Sequence, residues 1–203
     1  MTRFTIVLAI LLVALADIQS NVAKAYSDEE ENPLKEPLLM RILNAKNRAY
    51  EQVQKVKLLA STHHENFIER VNEMVEKAWL DMEIMKKKSG NTNPDCDKKV
   101  KDDINDNALK TISTYQSCLS KVTDSADWDM QSMSFEASIL IKDIHAAKIV
   151  DEELYRRTDE FEAKWSQFGQ YMKKLNTCNS MSNLPRLKRQ ISEAHTSYMQ
   201  CLN

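Results

Sequence analysis

From Leu38 to Met85 the apolar residues return every three or four positions: Leu38, Ile42, Ala45, Ala49, Val53, Val56 and Leu59, then Phe67, Val71, Met74, Ala78, Met82 and Met85. That step places them on one face of an α-helix about fifty residues long. Within it, Thr62 and Glu65 have the spacing of a capping box where the stripe meets His63 and His64, which predicts a bend or break near Ser61. Lys86, Lys87 and Lys88 in the last turn, with Gly90 beyond them, predict the helix end. Asn93 as N-cap and Pro94 at the first helical position open a second helix, whose stripe is Cys96, Val100, Ile104, Ala108, Ile112, Tyr115, Leu119 and Val122. A third helical region is expected from near Asp127, carried by Met133, Ala137, Leu140, Ile144 and Val150 and onward to Leu175, with Asp151 or Thr158 as the cap of a second piece. Asn183 and Pro185 open the last helix, which carries Leu187, Ile191, Ala194, Tyr198 and Cys201. No strand-like alternation occurs. The pattern predicts an all-α protein, an antiparallel helical bundle or array of four to six helices.

Composition sharpens this. The chain holds two glycines in 203 residues, where average usage would give about fourteen. Hairpin turns and phosphate-cradling loops need glycine's conformational freedom, so most nucleotide-binding folds are excluded. At the start of the sequence, Arg3 precedes an apolar run from Phe4 to Val13, and Ala14-Leu15-Ala16 offers small residues where a signal peptidase reads. We therefore expect a signal peptide over 1–16, a flexible acidic leader over 17–37 with Pro33 and Pro37, and a single helical domain over 38–203. The apolar run is too short to span a bilayer, so a secreted, extracellular protein without stable membrane insertion is expected. Acidic and basic residues are balanced and interspersed, which argues against nucleic acid as a partner.

Four cysteines behind a signal peptide imply two disulfides. Cys96 and Cys118 bracket one shorter helix and lie about 33 Å apart along it, too far for the ~7 Å Cα separation that a bridge tolerates. Both bridges must then tie the second helical region to the end of the chain. Parallel helices would pair Cys96 with Cys178 and Cys118 with Cys201; antiparallel ones would pair Cys96 with Cys201 and Cys118 with Cys178. The parallel version is preferred, because two helices separated by one long helical region point the same way. The preference reverses if the intervening region folds back.

Candidate chemistry is sparse. His63, His64 and Glu65 lack the four-residue histidine spacing of a zinc helix. Asp102, Asp103 and Asp106 lack the glycine and closing glutamate of a calcium loop. His145 and His195 have no nucleophile beside them. No catalytic constellation, metal site or cofactor is expected. Two basic clusters are candidate anion-binding groups: Lys86, Lys87 and Lys88 at one helix end, and Arg186, Lys188 and Arg189 on the last helix. Trp79, Trp128, Phe161, Trp165 and Phe168 read first as core, and otherwise as the walls of an apolar pocket for a small ligand.

A signal peptide, an acidic leader, an all-helical body and two evenly spaced cysteine pairs, the last at Cys201, together resemble small secreted four-cysteine insect proteins. The similar groups are the TsetseEP-type domain and mosquito salivary proteins such as the neutrophil-stimulating factor. The resemblance implies a non-enzymatic effector that modulates host immune cells or haemostasis by binding an extracellular protein or cell surface. The competing reading is a carrier of a small apolar ligand between helices.

Overall fold

A computed structural model describes residues 33–180 and 183–202. The expected signal peptide, most of the leader and Asn203 lie outside the described residues. Helix α1 spans Lys35–Ser89, α2 Pro94–Ala146, α3 Glu152–Lys164, α4 Gly169–Ser180 and α5 Leu184–Leu202, and a 3-10 turn, Trp165–Phe168, joins α3 to α4. Among the described residues there is no strand.

Burial explains why the two long helices do not break. Leu38, Ala49, Ala60, Val71 and Met82 are buried at every eleventh position of α1, and Val100, Thr111, Val122, Met133 and Ile144 at every eleventh position of α2. Eleven residues in three turns is 3.67 per turn, close to the natural 3.6, so the apolar stripe stays on one side of a long, nearly straight helix. Each helix is about 80 Å long. The break expected near Ser61 does not occur: the Thr62 hydroxyl donates back to the Leu58 carbonyl at 3.1 Å, as a mid-helix threonine does, and caps nothing. The boundary expected between the second and third helical regions is also absent, because Ala126 and Met130 carry the α2 stripe across it.

The helix ends form as their residues dictate. Gly90 takes the left-handed conformation, φ 70°, and its N–H donates to the Lys86 carbonyl. Asn93 accepts from the N–H groups of Asp95 and Cys96 at the start of α2. Asp151 accepts from Leu154 N–H at 2.9 Å and caps α3. Thr158, the other candidate cap, is buried inside α3.

Cross-helix contacts define the architecture. Between α1 and α2 they run from Lys35 with His145, through Lys57 with Asp127, to Lys86 with Asp97, so the two helices are antiparallel. Between α2 and the rest they run from Asp143 with Arg157, through Glu136 with Lys164 and Asn107 with Gln190, to Asp97 with Tyr198. Helices α3, α4 and α5 therefore continue one another along the rod, antiparallel to α2 and parallel to α1. The result is a long three-sided helical bundle, with two continuous sides and one segmented side.

This topology corrects the preferred disulfide pairing. Cys96 joins Cys201 and Cys118 joins Cys178, with Cα separations of 6.0 and 5.8 Å. The parallel pairing assumed that a separate long region lay between the two bridged helices. The chain instead reverses once, at 147–151 between α2 and α3, so the bridged helices run in opposite directions.

Candidate functional site

The residues nominated from sequence are dispersed along the rod. Lys86 pairs with Asp97 at 2.5 Å, while Lys87 and Lys88 are exposed at the end of α1. Arg186, Lys188 and Arg189 are exposed on the first turns of α5, with Arg189 3.6 Å from Glu193. The two basic clusters are separate features. The five aromatic residues do not share a cavity either. Phe161 and Phe168 are core residues, and Trp165 is half-buried with the Arg48 guanidinium 5.4 Å above its ring. Trp79 is partly exposed on a distant stretch of α1, and Trp128 is 73% exposed on α2.

The histidines take structural positions. His195 is buried and donates from Nε2 to the Ala78 carbonyl at 2.9 Å, tying α5 to α1. His63 accepts at Nδ1 from the Asn179 amide at 3.2 Å, and Asn179 in turn accepts from the Tyr115 hydroxyl. Tyr115 stacks on Phe67 with ring centroids 4.0 Å apart. His64 falls in the slot that the eleven-residue pattern assigns to the core between Ala60 and Phe67, and its Nε2 is buried with no hydrogen-bond partner among the described residues. His145 is exposed near the end of α2. Among the described residues, no group of three His, Cys, Asp or Glu side chains is placed to hold a metal ion.

A surface cleft lies where the segmented side is interrupted. Beside the 3-10 turn that joins α3 to α4, this cleft of about 230 Å³ opens against α2. Its α2 wall is Asp129, Ser132, Met133 and Glu136, and its opposite wall includes Lys164, Gln167, Gln170 and Tyr171. Lys164 places its ammonium 2.5 and 2.6 Å from the two Glu136 oxygens. The Tyr171 hydroxyl donates to Asp129 and reaches the Ser125 carbonyl. Burial, and then the adjacent Asp129 carboxylate, push the Tyr171 hydroxyl well above the ordinary tyrosine range, so it stays protonated and donating.

Trp128 and Phe135 stand on the same helical stripe as Ser132, four residues before it and three after. They are 73% and 70% exposed, the two most exposed aromatic side chains among the described residues. The expectation that Trp128 belongs to the core is thus corrected, and Phe135 joins it as an exposed ring that the sequence expectations do not include. The available signal was register: neither residue falls on the stripe of Ala126, Met130, Met133 and Ala137.

Comparison with known proteins returns no matching family model, no matching curated protein and no matching solved structure.

Proposed function

We propose that this chain is a secreted, non-enzymatic effector of the insect salivary type, which acts on host immune cells or haemostasis by engaging a cell-surface partner. The observation that carries the reading is the pair Trp128 and Phe135, held about 10 Å apart along one continuous helix and largely exposed to solvent. Large rings on a rigid support are the usual anchors of recognition, because little conformational entropy is lost when they are covered. The two disulfides support an extracellular setting. Among the described residues no helix is long and apolar enough to cross a membrane. The aromatic residues that motivated a carrier lie apart along the rod, which leaves the effector reading ahead.

The test is binding of the labelled protein to leukocytes, platelets and endothelial cells, comparing wild type with the double variant Trp128→Ala, Phe135→Ala. We expect saturable binding that falls at least tenfold in the variant, with unchanged helicity and melting temperature. Equal binding by both proteins, or none by the wild type, overturns the reading. Expression in insect cells tests the export it requires: the protein should appear in the medium with Asp17 as its first residue, and retention in the cell would defeat the proposal.

A further inference from the structure

The cleft beside the 3-10 turn constrains the chemistry of what Trp128 and Phe135 meet. Its charged side chains already have partners within the fold, and the lining carries two carboxylates against one ammonium. The Lys164 ammonium is taken by Glu136, Asp129 accepts from the Tyr171 hydroxyl, and the nearby Lys174 ammonium sits 4.6 Å over the Tyr171 ring. Among the described residues, the one cation that lines the cleft is thus already paired and is not free to hold a phosphate, sulfate or carboxylate. The groups that remain open are the Gln167 and Gln170 amides and the Ser132 hydroxyl, all neutral and all able to donate and accept.

The surface between the two rings is therefore polar. An apolar peptide anchor needs a dry pocket that removes its side chain from water, and burying such an anchor here would strip water from Ser132, Asp129 and Glu136 without replacing it. A ligand that suits both features has apolar C–H faces to lie against exposed rings and many hydroxyls to meet amides and carboxylates. We infer that the Trp128–Phe135 flank and the adjoining cleft form a binding site for a neutral oligosaccharide, the glycan of a cell-surface glycoprotein or glycolipid. Trp128 and Phe135 cover sugar rings on either side of Ser132, and Gln167, Gln170 and the paired carboxylates fix the hydroxyls. This rests on the effector reading and names the class of surface it contacts.

The experiment has two arms. In the first, the intact disulfide-bonded protein is applied to an array of neutral N-glycans, O-glycans, blood-group and chitin oligosaccharides alongside sialylated and sulfated ones, and hits are titrated calorimetrically. We expect neutral oligosaccharides to bind, with affinity falling at least tenfold in Trp128→Ala and in Gln170→Ala and unchanged in Trp79→Ala. All three positions are exposed, so melting temperatures should match the wild type and serve as the folding control. Binding restricted to charged glycans, no glycan binding, or binding indifferent to Trp128 and Gln170 overturns the inference. In the second arm, cells are treated with N- and O-glycosidases together with an endoglycoceramidase, which releases glycolipid glycans, before the binding assay. Loss of binding supports the glycan site. Binding that survives deglycosylation but still needs Trp128 and Phe135 assigns the flank to a protein surface, which defeats this inference and leaves the effector reading standing. Glycan binding by a protein that attaches to no cell defeats the effector reading instead.

Discussion

The continuous and segmented sides of the rod solve the same packing problem differently. Helices α1 and α2 keep an eleven-residue burial period over fifty-odd residues each, and their turns share one nucleation cost between them. The opposite side covers a similar length with helices of 13, 12 and 19 residues and a 3-10 turn. Helices that short are marginal alone, and besides buried contacts and hydrogen bonds they are fastened in two ways. Helix α3 is tied by ions: Arg157 to Asp143, and Arg41 of α1 to Asp159 and Glu162. Helices α4 and α5 are tied by disulfides, Cys178 to Cys118 and Cys201 to Cys96. Exposed ion pairs contribute at most about 1 kcal/mol each, whereas a disulfide closing a long loop contributes about 3–4 kcal/mol. Covalent support thus falls on the half of the segmented side farthest from the chain reversal at 147–151.

The comparison can be broken most severely at the bridges. Replacing Cys118 and Cys178 by alanine should cost about 3–4 kcal/mol. Amide hydrogen exchange should rise first in α4 and α5, before α1 and α2 lose protection. Uniform loss across all helices would show that the two sides are one cooperative unit. A similar contrast follows from cavities in the core. Ile42→Ala in α1 and Leu187→Ala in α5 each remove a fully buried side chain and should each cost about 2–5 kcal/mol in denaturant melts. The first should shift the global transition and the second should broaden it.

Smaller effects sharpen the picture at the end of the rod near the chain terminus. Asp97 accepts from both Lys86 and Tyr198, which hold its carboxyl below the ordinary aspartate range. A depressed pKa means the folded state releases this proton more readily, so the stabilisation is present above about pH 4 and fades as pH falls below it. Asp97→Asn should lower stability at neutral pH by about 1 kcal/mol, and the gap from wild type should close in acid melts. In alkali the sign reverses. Burial, and then their carboxylate partners, raise the hydroxyls of Tyr198 and Tyr171. Stability should therefore be full below about pH 10 and drop as pH rises past it. Tyr198→Phe together with Tyr171→Phe should flatten that drop.

The smallest effect is a gain. His64 occupies a core slot with Nε2 unpaired among the described residues, and an unsatisfied buried polar atom costs about 1–3 kcal/mol. His64→Met should raise the melting temperature by the equivalent of about 1 kcal/mol. A loss of stability would show that the imidazole contributes packing that methionine cannot replace.

Local chemistry was legible along the chain. The caps Asn93 and Asp151, the stop at Gly90 and most buried positions follow from residue type and spacing, because helix ends and helix faces are decided within a few residues. The errors were at Ser61 and Asp127, where a polar pair and a gap in the apolar count read as breaks. An eleven-residue burial period tolerates such gaps: His64 fills one slot despite its polarity, and Ala126 fills another with a side chain too small to stand out. The candidate site was less legible. Trp128 and Phe135 are readable as off-stripe residues, but the cleft they flank joins α2 to a turn more than thirty residues away.

The amino-acid sequence by itself determined that the chain is helical, which faces are apolar, where most helices stop and that four cysteines make two bridges between distant segments. Those properties depend on neighbours within one or two turns. Only the tertiary structure decided the direction of the last helices, and with it the joining of Cys96 to Cys201 and Cys118 to Cys178. Direction depends on how many times the chain reverses. A reversal is a property of whole helices packing against one another, and a single unbroken α2 was enough to change its count.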